Sequence, residues 1–248
     1  MAEVLNSFGP DLRVIVVGAN GGIGRSFVKQ LADLAQVEAV FALSRNAQAG
    51  IEGKVHYMPM RFTDEESIKA SAEALREVGQ FDIILIATGF LHAEGMGPEK
   101  TMKAMNRDQL LKSFEVNAIG PALCAKHFLP LLRRNTKTVF AALSARVGSI
   151  SDNRLGGWYA YRASKAALNM IIKTLSIEFG RRYPDAIICG LHPGTVDTDL
   201  SQPFQANVSK DKLFTPDFSV ERMISVLDHL SSESSGDLIA WDGMKIDF

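Results

Sequence analysis

The sequence contains only two cysteines, and neither is placed to bind a metal. Cys124 and Cys189 each stand alone among apolar neighbours, without a Cys-x-x-Cys pair or a Cys/His cluster nearby. This absence argues against a zinc site of the usual ligand spacing. We expect two buried free thiols in a reducing compartment, while a disulfide between them stays open from the sequence alone.

The sequence also lacks an excess of charge and long hydrophobic runs. The 27 Lys and Arg residues oppose 28 Asp and Glu residues, which argues against a nucleic-acid-binding surface and against a polybasic membrane anchor. The longest apolar run, around residues 83–87, is far shorter than the ~20 residues of a membrane-spanning helix. The first ten residues lack the pattern of a signal peptide. We therefore expect a cytoplasmic protein with no nucleic-acid or membrane partner.

Short apolar runs alternate with amphipathic segments along the chain. Runs that are apolar on both faces are typical of parallel strands covered by helices. They predict one α/β domain over residues 1–248, a Rossmann-type doubly wound sheet of about seven mostly parallel strands with helices on both faces. The predicted strands are 12–17, 37–43, 55–58, 81–88, 138–143, 186–191 and 238–241. The predicted helices are 22–34, 64–78 with Thr63 as N-cap, 106–116, 161–179 and 219–230.

A glycine-rich turn joins the first predicted strand to the first predicted helix. Gly18, Gly22 and Gly24 form G-x-x-x-G-x-G, a spacing that differs from the commoner dinucleotide fingerprint. Glycine lets the backbone approach a pyrophosphate, and the next helix offers free N–H groups and the positive end of its dipole. We interpret the turn as a phosphate-binding loop; a βα turn that binds nothing is the alternative. The predicted cofactor contacts here are Gly18, Asn20, Gly21, Gly22, Ile23 and Gly24.

The residues after the second predicted strand bear on the choice of cofactor. About 20 residues beyond such a turn, NAD-binding domains carry an acidic residue for the adenosine ribose hydroxyls. This sequence has Ser44, Arg45 and Asn46 there, without a carboxylate. A guanidinium can make two hydrogen bonds to the 2′-phosphate that distinguishes NADP from NAD. We favour NADP(H) over NAD(H), against the alternative that Arg45 is a solvated loop cation.

A tyrosine and a lysine four residues apart begin the longest predicted helix. Tyr161 and Lys165 share a helix face, whereas Tyr159 has an alanine at that spacing. A nearby positive charge favours the phenolate and should lower the tyrosine pKa from its usual ~10. Ser144 follows the fifth predicted strand, at the edge where parallel sheets bind ligands. Each feature alone is also typical of ordinary surface or turn residues, but their order along the chain favours catalysis.

These residues in this order resemble the short-chain dehydrogenases/reductases, over essentially the whole chain. The glycine turn, Ser144 and Tyr161-x-x-x-Lys165 match motifs of that family, Asn117 matches its helix asparagine, and residues 192–198 match its Pro-Gly-x-Val-x-Thr segment. The catalytic residues implied by the resemblance are Asn117, Ser144, Tyr161 and Lys165. The cofactor contacts that we add to those of the glycine turn are Ser44, Arg45, Gly89, Tyr161, Lys165, Pro193, Gly194, Val196 and Thr198.

The resemblance implies an NADP(H)-dependent oxidoreductase that reduces an aldehyde or ketone to an alcohol, or the reverse. NADPH would supply hydride to the carbonyl carbon, Tyr161 would supply the proton, and Ser144 would orient the oxygen. Lys165 would lower the pKa of Tyr161 and hold the nicotinamide ribose, and Asn117 would position a water that links Lys165 to solvent. The resemblance further implies a small-molecule carbonyl or alcohol substrate, a substrate flap at residues 198–216, and a homodimer or homotetramer.

Within the family, residues 161–169 and 240–243 are similar to the carbonyl-reductase-like branch. That branch includes intercellular signalling proteins called C-factor or C-signal. A second hypothesis is therefore a dinucleotide-binding signalling or regulatory protein with vestigial catalysis. The intact Ser144, Tyr161 and Lys165 favour the enzyme. A serine hydrolase is disfavoured because the sequence has no G-x-S-x-G nucleophile elbow.

Two segments depart from the family's pattern. Residues 86–89 read Ile-Ala-Thr-Gly where the family has Asn-Asn-Ala-Gly, so the hydrogen bonds of those asparagines must come from elsewhere or be absent. After the third predicted strand, Arg61 stands near the position of an aspartate that meets the adenine. Arg61 cannot accept a hydrogen bond, and it could stack on the adenine, reach a phosphate or point to solvent.

Overall fold

The computed structural model describes residues 5–248, apart from the side chains of Asn207 and Lys210. Strands and helices alternate through most of this range. The strands are β1 (Leu12–Val17), β2 (Val37–Ser44), β3 (Gly50–Glu52), β4 (Val55–Pro59), β5 (Ile83–Ile86), β6 (Thr138–Leu143), β7 (Ala186–His192), β8 (Thr195–Val196), β9 (Leu213–Phe214), β10 (Leu238–Ala240) and β11 (Lys245–Ile246). The helices are α1 (Gly22–Ala32), α2 (Glu65–Val78), α3 (Arg107–Phe114), α4 (Gly120–Phe128), α5 (Tyr159–Gly180) and α6 (Pro216–His229).

Nine strands form one sheet in the order β11-β10-β7-β6-β5-β1-β2-β4-β3, and β8 pairs with β9 beside it. The seven predicted strands are its seven parallel members, so the predicted α/β fold is confirmed. The short antiparallel strands β3 and β11 extend the two edges. The sequence does not predict these two strands, because each has only two or three residues and no apolar run.

The order of the strands reverses next to β1. The chain proceeds from β1 to β2 and β4, then crosses back to β5 on the other side of β1 and continues to β6, β7 and β10. The connections that leave β1 and β5 therefore diverge, which opens a crevice at their carboxyl ends. The reversal therefore predicts a ligand site at the carboxyl ends of β1 and β5.

Alternate residues of β1 face two separate cores. Val14 and Val16 pack with α1 and α6 on one face of the sheet, and Ile15 and Val17 pack with α2, α4 and α5 on the other. All four side chains are at most 1% exposed. The sequence of β1 is therefore a continuous apolar run, because burial on both faces removes the polar alternation.

In the described part of the chain, no helix is both long and apolar enough to cross a lipid bilayer.

Both cysteines are free and buried, as expected from the sequence. Cys189 belongs to the core under α1 and α6, and Cys124 belongs to the core on the opposite face. Because the sheet lies between the two side chains, they form no disulfide. Burial raises the pKa of the Cys189 thiol to about 12.

Most helix boundaries differ from the predictions by one to three residues, and two differences have a clear physical reason. Asp64, and not Thr63, is the N-cap of α2, because the Asp64 carboxylate accepts a hydrogen bond from the backbone N–H of Ser67. The helix predicted at 106–116 continues through a π-helical turn, Glu115–Ile119, into α4. The Gly120-Pro121 pair suggests a break, but Pro121 lies in the first turn of α4, where proline is tolerated.

Candidate active site

Two cavities, of about 360 and 430 Å³, open at the carboxyl edge of the sheet. Most of the predicted site residues border one of them. The first is bordered by Gly18, Asn20, Gly21, Ser44, Arg45 and Gly89. The second is bordered by Ile23, Ser144, Tyr161, Pro193, Gly194, Val196 and Thr198. The four predicted residues that do not border a cavity are Gly22, Gly24, Asn117 and Lys165.

Three glycines of the turn, Gly18, Gly22 and Gly24, are packed too closely to carry a Cβ atom. Gly18 has φ = +85°, and a Cβ there would lie 2.8 Å from a carbonyl oxygen that follows β5. A Cβ on Gly24 would collide with the carbonyl oxygen of Gly18, and one on Gly22 would lie 2.8 Å from Cγ2 of Thr198. No side chain caps the N-terminus of α1 at Gly21, and its first turn holds no acidic residue. Its N–H groups are thus available to an anionic ligand, as the predicted phosphate-binding loop requires.

The end of β2 supplies polar groups to the first cavity. The buried Oγ of Ser44 has no hydrogen-bond partner in the described part of the chain. Arg45 is exposed at the rim and forms no ion pair within residues 5–248. Lys112, which the sequence analysis missed, also borders this cavity, and its Nζ lies 2.8 Å from Oε2 of Glu115. The unpartnered hydroxyl and the free guanidinium fit the phosphate oxygens of a nucleotide.

Arg61 does not border this cavity. Its Nη2 and Nε lie 2.6 and 3.0 Å from Oδ2 of Asp64, at the N-terminus of α2. Its side chain is 73% exposed, whereas the adjacent Met60 and Phe62 are buried and border the cavity. Without a nucleotide, Arg61 is thus exposed to solvent and paired with Asp64.

Asn117 connects the segment after β5 to helix α5. Its Oδ1 accepts a hydrogen bond from the N–H of Phe90 at 2.8 Å, and its Nδ2 donates to the carbonyl of Phe90 at 2.8 Å and to Oγ of Ser164 at 3.0 Å. Asn117 is fully buried in the π-helical turn. It thus holds the loop that contains the unusual residues 86–89. Within that segment the buried hydroxyl of Thr88 has no partner among the described residues.

Ser144, Tyr161 and Lys165 converge where β6 meets α5. The Nζ of Lys165 donates a hydrogen bond to the carbonyl of Leu143 at 2.7 Å and lies 5.9 Å from the centre of the Tyr161 ring. Ser144 and Tyr161 border the second cavity, and Lys165 is buried behind them. The helical spacing of four residues therefore places the phenol and the ammonium side by side, as predicted.

The pKa of Tyr161 is raised, whereas the sequence predicts a lowered value. Burial raises the pKa of Tyr161 to about 12 and lowers the pKa of Lys165 to about 7. Removal from water disfavours the charged form of both groups, so the lysine loses much of the charge that was expected to act on the phenol. At neutral pH the phenol therefore keeps its proton.

Asn169 is a polar neighbour of Ser144 that the sequence analysis missed. The Oγ of Ser144 donates to Oδ1 of Asn169 at 2.7 Å, while the buried Nδ2 of Asn169 has no partner among the described residues. A half-turn of the amide would bring Nδ2 to the serine as a donor. The hydroxyl proton of Ser144 would then be free for a ligand in the second cavity. The position of Asn169 four residues after Lys165, on the same helix face, is the one sequence signal for it.

The Pro-Gly segment after β7 closes the far side of the second cavity. Oγ of Ser219 donates to the carbonyl of Pro193 at 2.7 Å, which ties the segment to α6. Gly194 has φ = +78°, and a Cβ there would lie 2.6 Å from the ring of Phe214. His192 borders the cavity, and burial lowers its pKa to about 4, so its ring is neutral at physiological pH.

Several residues of the predicted flap, residues 198–216, border the second cavity, among them Leu200, Phe204 and Val208. It contains two 3₁₀ turns, Gln202–Asn207 and Lys210–Lys212, and ends in β9. The Phe204 ring lies 5.2 Å from that of Trp158 and 5.6 Å from that of His92. Trp158, in turn, lies 6.2 Å from the Tyr161 ring. An aromatic row thus connects the flap to the tyrosine.

A buried glutamate caps the helix that carries Tyr161 and Lys165. Both carboxylate oxygens of Glu99, which is 2% exposed, accept from the N–H of Ala160 at 3.2–3.3 Å. The carbonyl of Glu99 accepts from the N–H of Trp158, whose φ of 52° is left-handed. Glu99 therefore positions the first turn of α5. The sequence gives no local signal for it, because Glu99 and Ala160 are 61 residues apart.

Replacing Glu99 by alanine should displace the first turn of α5. We expect a loss of about 1 kcal/mol in the free energy of unfolding, typical of a lost helix cap, and a several-fold lower kcat for carbonyl reduction with a smaller change in KM. Glu99→Gln keeps an acceptor for Ala160 and should restore most of kcat. Glu94→Ala, on the exposed part of the same loop, is the control. An equal loss of kcat in the alanine and glutamine variants would contradict this positioning role.

The lowered pKa of Lys165 predicts a pH dependence of stability. Between about pH 7, its pKa in the folded protein, and 10.5, its ordinary value, the unfolded chain binds a proton that the folded chain does not. The contribution of Lys165 to stability should therefore rise with pH across this window and fall as the pH is lowered. Urea unfolding of the protein without nucleotide should show a smaller rise for Lys165→Met. Lys173→Met, at an exposed position of α5, should keep the slope of the unmodified chain; equal slopes in all three would refute the shift.

Comparison with known proteins gives consistent matches. The family model of the short chain dehydrogenases matches residues 13–209. The 1-hydroxy-2-glutathionyl-2-methyl-3-butene dehydrogenase of Rhodococcus sp. (strain AD45) is 31% identical over 231 residues, which cover 93% of this chain and 96% of that protein. C-signal of Myxococcus xanthus is 36% identical over 137 residues, 55% of this chain and 77% of that protein. NADPH-bound carbonyl reductase from chicken fatty liver has a similar structure, with a TM-score of 0.84, 27% identity, and coverage of 98% of this chain and 97% of that one.

The family model's match, residues 13–209, includes the glycine turn, Ser144 and the Tyr-Lys pair. Among the described residues there is no cluster of His, Cys, Asp or Glu that could hold a metal ion. The family match covers most of the chain, and the dehydrogenase relative is aligned over nearly its full length. The chain therefore belongs to the short-chain dehydrogenase/reductase family and is an oxidoreductase of that family.

Proposed function

We propose that this enzyme reduces aldehydes or ketones to alcohols with NADPH at the second cavity. The observation that carries the proposal is the convergence of Ser144, Tyr161 and Lys165 on one wall of that cavity. The cavity is otherwise lined mostly by apolar side chains, and its volume of about 430 Å³ would be shared by the nicotinamide and a small organic substrate. A hydroxyl and a protonated phenol at such a wall can bind and protonate a carbonyl oxygen.

Tyr161, Ser144 and Lys165 each have a distinct role in the proposed reduction. Tyr161, whose phenol is protonated at neutral pH, donates a proton to the carbonyl oxygen. Ser144 holds the oxygen once Asn169 turns its amide and releases the serine proton. Lys165, with its pKa near 7, is protonated in part at neutral pH and can return a proton to the phenolate. NADPH, when bound, supplies the hydride that completes the reduction.

The residues of the first cavity fit the phosphates of NADPH. The N-terminus of α1 and the glycine turn would hold the pyrophosphate. Ser44 and Arg45 would hold the 2′-phosphate, because one has an unpartnered hydroxyl and the other an unpaired charge within the described residues. Pro193, Gly194 and Thr198 would border the nicotinamide. The NADPH bound to the similar carbonyl reductase from chicken fatty liver supports this choice of cofactor.

The test is the oxidation of NADPH and, in parallel, of NADH with a panel of aldehydes and ketones, followed by absorbance. We expect turnover of at least one apolar carbonyl compound, with a higher kcat/KM for NADPH than for NADH. Binding of NADPH without turnover of any carbonyl or alcohol would overturn the proposed activity.

The similarity to C-signal favours one alternative, a dinucleotide-binding signalling protein. The two candidates make different demands on Tyr161, because a protein that only binds the dinucleotide does not need its hydroxyl. An organism that keeps the full function of this chain after Tyr161→Phe would favour the signalling protein.

A further inference from the structure

We propose that the substrate of this enzyme has an apolar body and a carboxylate at the end remote from its carbonyl group, bound by Arg154. The inference rests on the proposed function and names the substrate class for the second cavity. It follows from the distribution of charge around that cavity.

The walls of the second cavity provide the apolar contact. Beyond Ser144 and Tyr161, most of its lining consists of aliphatic and aromatic side chains. These include Leu91, Val147, Trp158, Leu200, Phe204 and Val208. A polar group placed against these side chains would lose its hydration without gaining a partner, so the middle of the substrate should be apolar.

The charged residues that border the cavity are mostly positive. They are Arg146, Asp152, Arg154 and Arg162, and His192 is neutral at physiological pH because its pKa is lowered. The one carboxylate is engaged, since Nη1 of Arg146 lies 3.2 Å from Oδ2 of Asp152. Arg162 is also engaged, with hydrogen bonds to the carbonyls of Gly156, Gly157 and Val147.

Arg154 is the cation that remains for a ligand. It is exposed and forms no hydrogen bond or ion pair with any residue in the described part of the chain. An unpaired guanidinium beside an apolar cavity fits a carboxylate, which it can bind through two hydrogen bonds.

The position of Arg154 separates it from the expected cofactor phosphates. All four charged residues lie between positions 146 and 162, in the segment that follows β6 and in the first turn of α5. Gly18, Gly21 and Arg45, which would hold the phosphates, border the first cavity instead. Arg154 therefore serves the substrate and not the dinucleotide.

A second observation at the same rim points to an amphipathic ligand. Leu155 borders the cavity, yet it is 92% exposed. Leu155 thus offers apolar surface directly beside the unpaired Arg154, as a ligand with an apolar body and a charged end group requires.

The test uses aromatic aldehydes that carry a carboxylate at increasing distance from the aldehyde. A suitable series is 4-formylbenzoate, 4-(carboxymethoxy)benzaldehyde and 4′-formylbiphenyl-4-carboxylate, each compared with its methyl ester. We expect kcat/KM with NADPH to be about tenfold higher for the acid than for the ester at one spacing in this series. In Arg154→Gln that ratio should fall to about 1, and Arg154→Lys should retain part of it. High salt should reduce the ratio in the unmodified enzyme.

Arg181→Gln is the matched control. Arg181 is an exposed residue at the opposite end of α5, and its replacement should leave the ratio of acid to ester unchanged. Ratios near 1 at every spacing, with esters that are turned over, would overturn the carboxylate preference and leave the proposed reductase intact. A tenfold ratio that survives Arg154→Gln would overturn the role of Arg154. Failure of all acids and esters to oxidise NADPH, together with the failure of the wider carbonyl panel, would overturn the proposed function and this inference with it.

Discussion

Replacing Tyr161 by phenylalanine should lower kcat for carbonyl reduction by about 10²–10⁴-fold, the usual contribution of a general acid. The Tyr161 hydroxyl has no hydrogen-bond partner among the described residues, so its removal should leave α5 and the fold unchanged. The ring that packs beside Trp158 is kept. NADPH oxidation under single-turnover conditions measures the chemical step, and fluorescence titration measures the Kd for NADPH, which should change by less than about threefold.

Tyr159→Phe is the control for this variant. Tyr159 begins the same helix and is 37% exposed, but the residue four positions later is an alanine. Loss of the Tyr159 hydroxyl should not change kcat. Turnover retained at the unmodified rate in Tyr161→Phe would remove the proposed acid, and with it the assignment of the second cavity as the catalytic site.

Replacing Arg45 by aspartate should reverse the choice of cofactor. A carboxylate at the end of β2 would repel the 2′-phosphate of NADPH and could accept hydrogen bonds from the ribose hydroxyls of NADH. We expect the ratio of kcat/KM for NADPH to that for NADH to fall by about 10²-fold or more, because a charge-assisted contact is replaced by a like-charge one. Initial rates with both cofactors and one carbonyl substrate measure this ratio.

Arg76→Asp provides a charge-matched control on the surface. Arg76 is exposed in the last turn of α2, whose N-terminus lies at the carboxyl edge of the sheet, so the same charge change should leave the cofactor ratio as it was. Arg45→Gln, which removes the positive charge without adding a negative one, should give an intermediate ratio. An unmodified enzyme that already prefers NADH would show that Arg45 does not bind a phosphate.

The features that depend on neighbours in the sequence were predictable. The seven parallel strands follow from seven apolar runs, and the tight turn at Gly18 follows from glycines whose positions admit no Cβ. The pairing of Tyr161 with Lys165 follows from the helical repeat, which needs only four residues of chain. In each case the physical cause acts within one strand, turn or helical turn.

The features that depend on distant contacts were not predictable. The charge next to Tyr161 in the sequence predicts a lowered pKa, but burial of its side chain by the tertiary fold raises the pKa instead. Glu99 caps α5 across 61 residues of chain, and Asn169 binds Ser144 across 25. Neither contact has a spacing rule, because a buried polar group finds its partner through the tertiary fold.

The sequence by itself therefore determined the parallel α/β fold and the order of the glycine turn, Ser144 and the Tyr-Lys pair. Local periodicity and backbone sterics specify these features, so they can be predicted without knowledge of the tertiary packing. Only the tertiary structure decided which groups remain charged, which polar atoms remain unpartnered and which cations border the substrate cavity. Those properties depend on the removal of water by residues far apart in the chain, and the unpaired Arg154 beside an apolar wall is visible only after that packing is known.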